Sequence, residues 1–153
     1  MNFMDMLMGA KLLGGGGGEA EEEQWVYAHG TFTADSYNQT VEHGLGVVPD
    51  YMTLEFSGDA TQVTSEYAVT AFGKSVKQAA LEGAGTDYGY CFLYNPSTKK
   101  FFSAIAGYGI DQNSALAIRN ANETTVTFGG MYQGFNNLAS GQKYRWTAIG
   151  RAK

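Results

Sequence analysis

Cysteine and proline are nearly missing: Cys91, Pro49 and Pro96 are the only examples in 153 residues. A single cysteine excludes an internal disulfide framework and any cysteine-based zinc site. Charge is scarce as well, at 16% of residues against a usual share of roughly 25%. No apolar run reaches about 18 residues, so nothing reads as a membrane-spanning helix. The two histidines, His29 and His43, have no partner at a metal-ligand spacing. Neither is expected to be catalytic or metal-bound, and no cofactor is expected. Basic charge is short too. The net charge is −5, and the first 24 residues hold Asp5, Glu19, Glu21, Glu22 and Glu23 against Lys11, so −4 of it lies there. The remaining body is nearly neutral and offers no electrostatic footprint for a phosphate backbone, which argues against nucleic acid as a partner.

Glycine and aromatics are what the chain has in quantity. Glycine supplies 21 residues, aromatics 14%, and hydrophobic residues 44%. That is enough apolar material for a core, and the length suits one ordinary domain.

The chain divides into three pieces. Residues 1–13 read as a short helix that serves as an assembly anchor. Asn2 is a plausible N-cap and Asp5 falls in the first turn. Phe3, Met4, Leu7, Met8, Leu12 and Leu13 make the segment apolar nearly all round, and such a helix needs a partner surface. Four of the six methionines lie in the first eight residues, and methionine adapts to irregular grooves. A signal peptide is the rival reading, but a basic leading region is missing and Asp5 interrupts the apolar stretch. A membrane-surface helix lacks its basic face. The helix folding back on its own domain remains the structural alternative. Residues 14–23 read as a tether, five glycines followed by a glutamate-rich stretch.

Residues 24–153 read as strands and turns. Met52, Leu54 and Phe56 alternate with Tyr51, Thr53 and Glu55. Tyr88, Tyr90, Phe92 and Tyr94 alternate with Gly89, Cys91 and Leu93. Asn95-Pro96-Ser97-Thr98 is a turn signal, making a hairpin with Lys99–Ile105. Asn120–Asn122 separates Ala115–Ile118 from Thr124–Phe128 as a second hairpin. Tyr144, Trp146 and Ala148 share one face of a closing strand, a pattern that Ile149 should break. Lys74–Leu81 is the one helical suspect. Eight or nine short strands predict a mainly β fold, an antiparallel β-sandwich preceded by the short N-terminal α-helix and the glycine tether.

Motifs for chemistry are few. Cys91, between Tyr90 and Phe92, reads as a buried inert thiol. Gly44-Leu45-Gly46 does not lead into a helix and is no phosphate loop. Nothing marks one carboxylate pair above another, so no catalytic residue is assigned and an enzyme is not expected. The aromatic surplus suits subunit interfaces, sugar-binding faces or strand packing. Tyr108, Tyr132 and Asn136, with Phe135 and Asn137 nearby, lie in glycine-rich segments and are the first candidates for a ligand face.

Two segments carry a resemblance. YNQTVEHGLGVVPDY (residues 37–51) and YRWTAIG (residues 144–150) resemble the small β-sandwich domains of bacteriophage structural proteins. The closing strand is also similar to the H-type lectin family. The opening LMGAKLLGGGGG looks like the N-terminal anchor of phage tail, collar or head appendages. The resemblance implies a virion structural protein, in a tail, fibre or capsid-decoration role, anchored through its N-terminal helix to other virion proteins. It implies a homo-oligomer, most simply a trimer, and allows a host-surface glycan as ligand, with neither membrane nor nucleic acid as partner. The alternative is a lectin-like carbohydrate-binding adhesin. H-type lectins bind sugars at an oligomer interface, through residues with no identified counterpart in this sequence.

Overall fold

A computed structural model of the protein describes residues 22–35, 38–59, 68–76, 89–104, 106–108, 115–130 and 138–153. These residues hold ten strands in chain order: β1 (Gln24–Thr33), β2 (Asn38–Glu42), β3 (Tyr51–Phe56), β4 (Ala68–Ser75), β5 (Gly89–Asn95), β6 (Lys100–Ala104), β7 (Ala106–Tyr108), β8 (Leu116–Ala121), β9 (Thr125–Gly130) and β10 (Lys143–Ala152). No helix occurs among the described residues. The protein is therefore mainly β. The anchor and tether segments, residues 1–21, lie outside the described residues.

The strands form two sheets. One has six strands in the order β1-β10-β3-β4-β5-β6, and the other has four, β2-β9-β8-β7. Every pair is antiparallel except β7 with β8, which run parallel. That parallel pair departs from the fully antiparallel expectation. Alternation places the core. In β10, Tyr144, Trp146, Ala148 and Gly150 point inward and are buried, while Lys143, Arg145, Ile149 and Arg151 are exposed. The alternation does not break at Ile149, because β10 continues to Ala152 and leaves Ile149 on the outer face. Met52 and Leu54 of β3 are buried beside these residues, and Phe56 is half-buried.

The two sheets meet through large side chains. Phe72 of β4 packs edge-on against Phe128 of β9, ring centres 5.8 Å apart. Leu116, Ile118 and Val126 complete the four-stranded side of one continuous core. Full burial of each such side chain stabilises the fold by about 1.5–3 kcal/mol. Tyr144 sits at the centre. Its hydroxyl donates to the Val69 carbonyl at 2.9 Å and accepts from the Ala139 N–H at 2.8 Å, so its one polar group is satisfied within the core.

Both expected hairpins exist, with shifted edges. Asn95 Oδ1 accepts from the N–H groups of Ser97 and Thr98 and turns β5 into β6. In the second hairpin, Asn120 and Ala121 are still paired strand residues, and the register slips between Ile118 and Asn120. The turn itself is built on Asn122, whose Oδ1 accepts from Thr124 N at 2.9 Å and Thr125 N at 2.8 Å. Residues 77–81 of the helical suspect lie outside the described residues, and Lys74 is not in a helix. It lies in β4, opposite Met52, and is buried. The strand propensity of its neighbours and sheet pairing on both sides outweigh a weak local helical signal.

The segment His43–Asp50 folds into a corner that locks onto β10. Gly44 and Gly46 have φ of 64° and 73°, a region that side-chain-bearing residues avoid. His43 is buried, and its Nδ1 accepts from Leu45 N at 3.2 Å. That bond leaves the proton on Nε2, which donates to the Asn122 carbonyl at 3.1 Å. The histidine therefore ties the corner to the β8–β9 turn. At the other end, a side chain on Gly150 would meet Val47 Cγ2 at 3.1 Å, so the corner lies directly on the bare backbone of β10.

Candidate functional site

The outer face of the six-stranded sheet, opposite the core, carries the exposed chemistry. Odd-numbered residues of β1, β10 and β3 share this face. Register sets Tyr27 beside Ile149, His29 beside Thr147 and Thr31 beside Arg145. It then sets Thr147 beside Thr53 and Arg145 beside Glu55. A shallow groove of about 410 Å³ runs across these strands, lined by Tyr27, His29, Thr31, Glu55, Arg145 and Thr147, with Gly30 and Trp146 at its floor.

The floor follows from one pairing. Gly30 lies opposite Trp146, and a Cβ at residue 30 would come within 2.7 Å of the indole. A missing side chain on β1 thus makes room for a large one on β10. Trp146 is 7% exposed and belongs to the core. Tyr27 is 63% exposed, and its ring centre lies 5.6 Å from that of His29. Trp25, 62% exposed, extends the aromatic ridge and lies 5.5 Å below the Arg151 guanidinium.

Arg145 Nη2 donates to Glu55 Oε2 at 3.2 Å, with both side chains more than half exposed. Such a surface pair contributes only about 0–1 kcal/mol, so a ligand can recruit either group at little cost. The groove therefore offers a cationic donor, an anionic acceptor, hydroxyls from Thr31 and Thr147, and a tyrosine ring. That set can hold a neutral polar ligand with one apolar face.

Further along the same face, Tyr51 and Tyr90 lie over the bare backbone of Gly73. Burial, and then the neighbouring Tyr90 phenol, raises the Tyr51 pKa above its ordinary value. Burial, and then Glu55, raises that of Tyr90. Both phenols stay protonated near neutrality and act as hydrogen-bond donors.

Of the expected ligand-face residues, Tyr108 is described and does not line this groove. Tyr108 is in β7, on the far edge of the four-stranded sheet. Tyr132 and Asn136 lie outside the described residues, as do Phe135 and Asn137. The anchor residues Phe3, Met4, Leu7, Met8, Leu12 and Leu13 also lie outside them. Cys91 is 1% exposed, and burial pushes its thiol pKa up to about 12, as its place between two aromatic neighbours predicts for an inert thiol. Among the described residues no group of three or more His, Cys, Asp or Glu is placed to hold a metal ion, and no helix is long and apolar enough to cross a membrane. The groove residues were missed because period two assigns Tyr27, His29 and Thr31 to one face without saying whether anything covers it. The usable signal was the paired outward set on β10, Arg145 and Thr147.

Comparison with known proteins gives no family model, no curated protein and no solved structure that matches the chain.

Proposed function

We propose that the protein is a structural component of a bacteriophage particle, a mostly antiparallel β-sandwich displayed on a tether and held to other virion proteins by the apolar N-terminal segment. One observation carries this reading. The two segments that resemble phage structural domains, residues 37–51 and 144–150, are distant in sequence but adjacent in space. The corner residues Val47 and Pro49 pack on Gly150, and Asp50 N–H donates to the Ile149 carbonyl at 2.7 Å. The similarity thus falls on one physical unit rather than on two unrelated strings. The role is non-enzymatic in this reading.

The test is whether the protein travels with the particle. Mass spectrometry of purified virions should find it at a fixed copy number. Replacing Leu7 and Leu12 by Asp should remove it, since an unpaired carboxylate in an apolar groove is strongly unfavourable. Virions without the protein, or virions that keep the double variant at full copy number, would refute the anchored-display reading.

The outer-face groove favours a second reading, a lectin-like adhesin. Tyr27 supplies a ring for a sugar's C–H face, and Arg145 and Glu55 supply the donor and acceptor for its hydroxyls. A glycan array should show binding that Arg145→Ala removes. An array with no signal excludes this reading and leaves the structural role intact.

A further inference from the structure

The two sheets have four edges among the described residues: β1 and β6 in one, β2 and β7 in the other. Three are short. β2 and β6 have five residues each, with Glu42 and Lys100 respectively, and β7 has three. β1 is different. It runs for ten residues, QWVYAHGTFT, with no Lys, Arg, Asp, Glu or Pro, and it pairs with β10 without a bulge from Gln24 to Thr33. Natural edge strands are normally shortened, bulged or charged against pairing with another chain. β1 carries none of these defences and exposes Trp25 and Tyr27 beside its open backbone.

The direction of its hydrogen bonds follows from its end. Ala34 N–H donates to the Gln142 carbonyl. Backbone groups alternate along a strand, so the even residues of β1 bond to β10. The odd residues Trp25, Tyr27, His29, Thr31 and Thr33 therefore turn their N–H and C=O to the open edge. The opposite flank of β10 agrees, since the odd-numbered Lys143 gives its carbonyl to Ser57 N–H, on the β3 side.

We infer that β1 is a homophilic interface, in which two copies of the chain pair their β1 strands antiparallel about a two-fold axis and join their six-stranded sheets into one. Only registers that set odd residues against odd residues make the bonds. Of the two most complete, one sets Glu23 against Asp35 of the partner subunit, which is repulsive. The other centres on Ala28 and sets Glu23 against Thr33 of the partner subunit. There the exposed acid Glu23, which lies 3.6 Å from Arg151 of its own chain, shares the outer face with the exposed Lys143 of the partner subunit, which flanks that threonine in the sheet. Charge thus selects the second register. It places Tyr27 opposite His29 of the partner subunit and the small Ala28 at the axis, where side chains come closest. This pairing is closed and two-fold, so it yields a dimer and not the trimer expected from the sequence. It does not depend on the virion reading.

The full-length chain tests it. Light scattering at tens of micromolar should report about twice the 16.5 kDa chain mass. Tyr27→Lys should lower the mass by placing like charges near the axis. Thr31→Pro should do the same while leaving the β1–β10 ladder whole, because the lost N–H faces the edge. Amide exchange gives a second readout. The N–H groups of Tyr27, His29 and Thr31 should exchange about tenfold or more slowly in concentrated than in dilute protein, while those of Val26 and Ala28 stay slow in both. A monomer, or an oligomer whose mass neither variant changes, overturns the proposal. So do odd-residue amides that exchange at the same rate at every concentration, whether fast, as on a bare edge, or slow, as on an edge covered by the chain's own segment.

Discussion

Asp50 holds Arg151 by backbone and side chain: one carboxylate oxygen accepts the Arg151 backbone N–H at 2.8 Å, and the other accepts the guanidinium Nη2 at 2.8 Å and Nε at 3.3 Å. The backbone bond and the side-chain bond have different weights. Asp50 is the less exposed partner, at 15% against 44% for Arg151. Asp50→Ala removes the backbone bond and the side-chain bonds together, leaving the corner on β10 through the Asp50 N–H bond to Ile149 and the packing of Val47 on Gly150. Arg151→Ala keeps the backbone bond and removes the guanidinium's bonds to Asp50, its pair with Glu23 at 3.6 Å and its contact with the Trp25 ring. The melting temperature should therefore fall further for Asp50→Ala than for Arg151→Ala. Equal losses would show that the backbone bond contributes nothing.

The Gly30–Trp146 pairing predicts a matched pair of losses. Trp146→Ala should cost about 3–5 kcal/mol by emptying a large core site. Gly30→Ala should cost about 1–3 kcal/mol by overpacking the same site from the other side. The double variant should cost less than the sum, because the smaller ring site accepts the added methyl. Denaturant midpoints of the four proteins decide this.

Tyr144→Phe keeps the ring and deletes the hydroxyl. It takes the partner from the Ala139 N–H and one hydrogen bond from the Val69 carbonyl, at a cost of about 1–3 kcal/mol. The same burial gives a pH signature. Burial, above all, raises the Tyr144 pKa from 10.0 to about 12, and burial raises that of Cys91 from 9.0 to about 12. In the unfolded chain both groups lose their protons first, so alkali favours unfolding. The stabilising term is whole below the unfolded values and drains away as pH rises from 9 toward 12. Chemical denaturation across that window should show falling stability, and the fall should be shallower in Cys91→Ala.

Cys91 also gives a test at ordinary pH. Its burial and its raised pKa leave almost no accessible thiolate at pH 8. A thiol reagent should react only at the rate of global opening, and denaturant should release the reaction. Rapid labelling of the native protein would contradict the buried position of Cys91 in β5.

Much of the sheet architecture could be read in the residues, and the reasons are local. Tyr51–Phe56 and Tyr144–Ala148 alternate cleanly because each has one buried face, and period two records that directly. Asn95 and Pro96 announce a turn through side-chain geometry that needs no distant partner. What the residues conceal is pairing. That β10 lies between β1 and β3 joins residues from 88 to 128 positions apart, and no local pattern encodes it. The slip at Ile118/Asn120 and the parallel β7–β8 pair are likewise set by neighbours. The groove fails to show for the same reason. Tyr27 and Arg145 carry ordinary strand alternation, and they come to line one groove only once β1 and β10 are laid side by side.

The antiparallel pairing of β1 with β10 also decides how the domain bears a mechanical load. Gln24 lies opposite Ala152, and Thr33 opposite Lys143. A force that pulls residues 24 and 152 apart acts on the end of the ladder and opens its bonds one after another, as a zipper does. A force that drags residue 24 along the strand axis, away from Thr33, meets the whole ladder in shear.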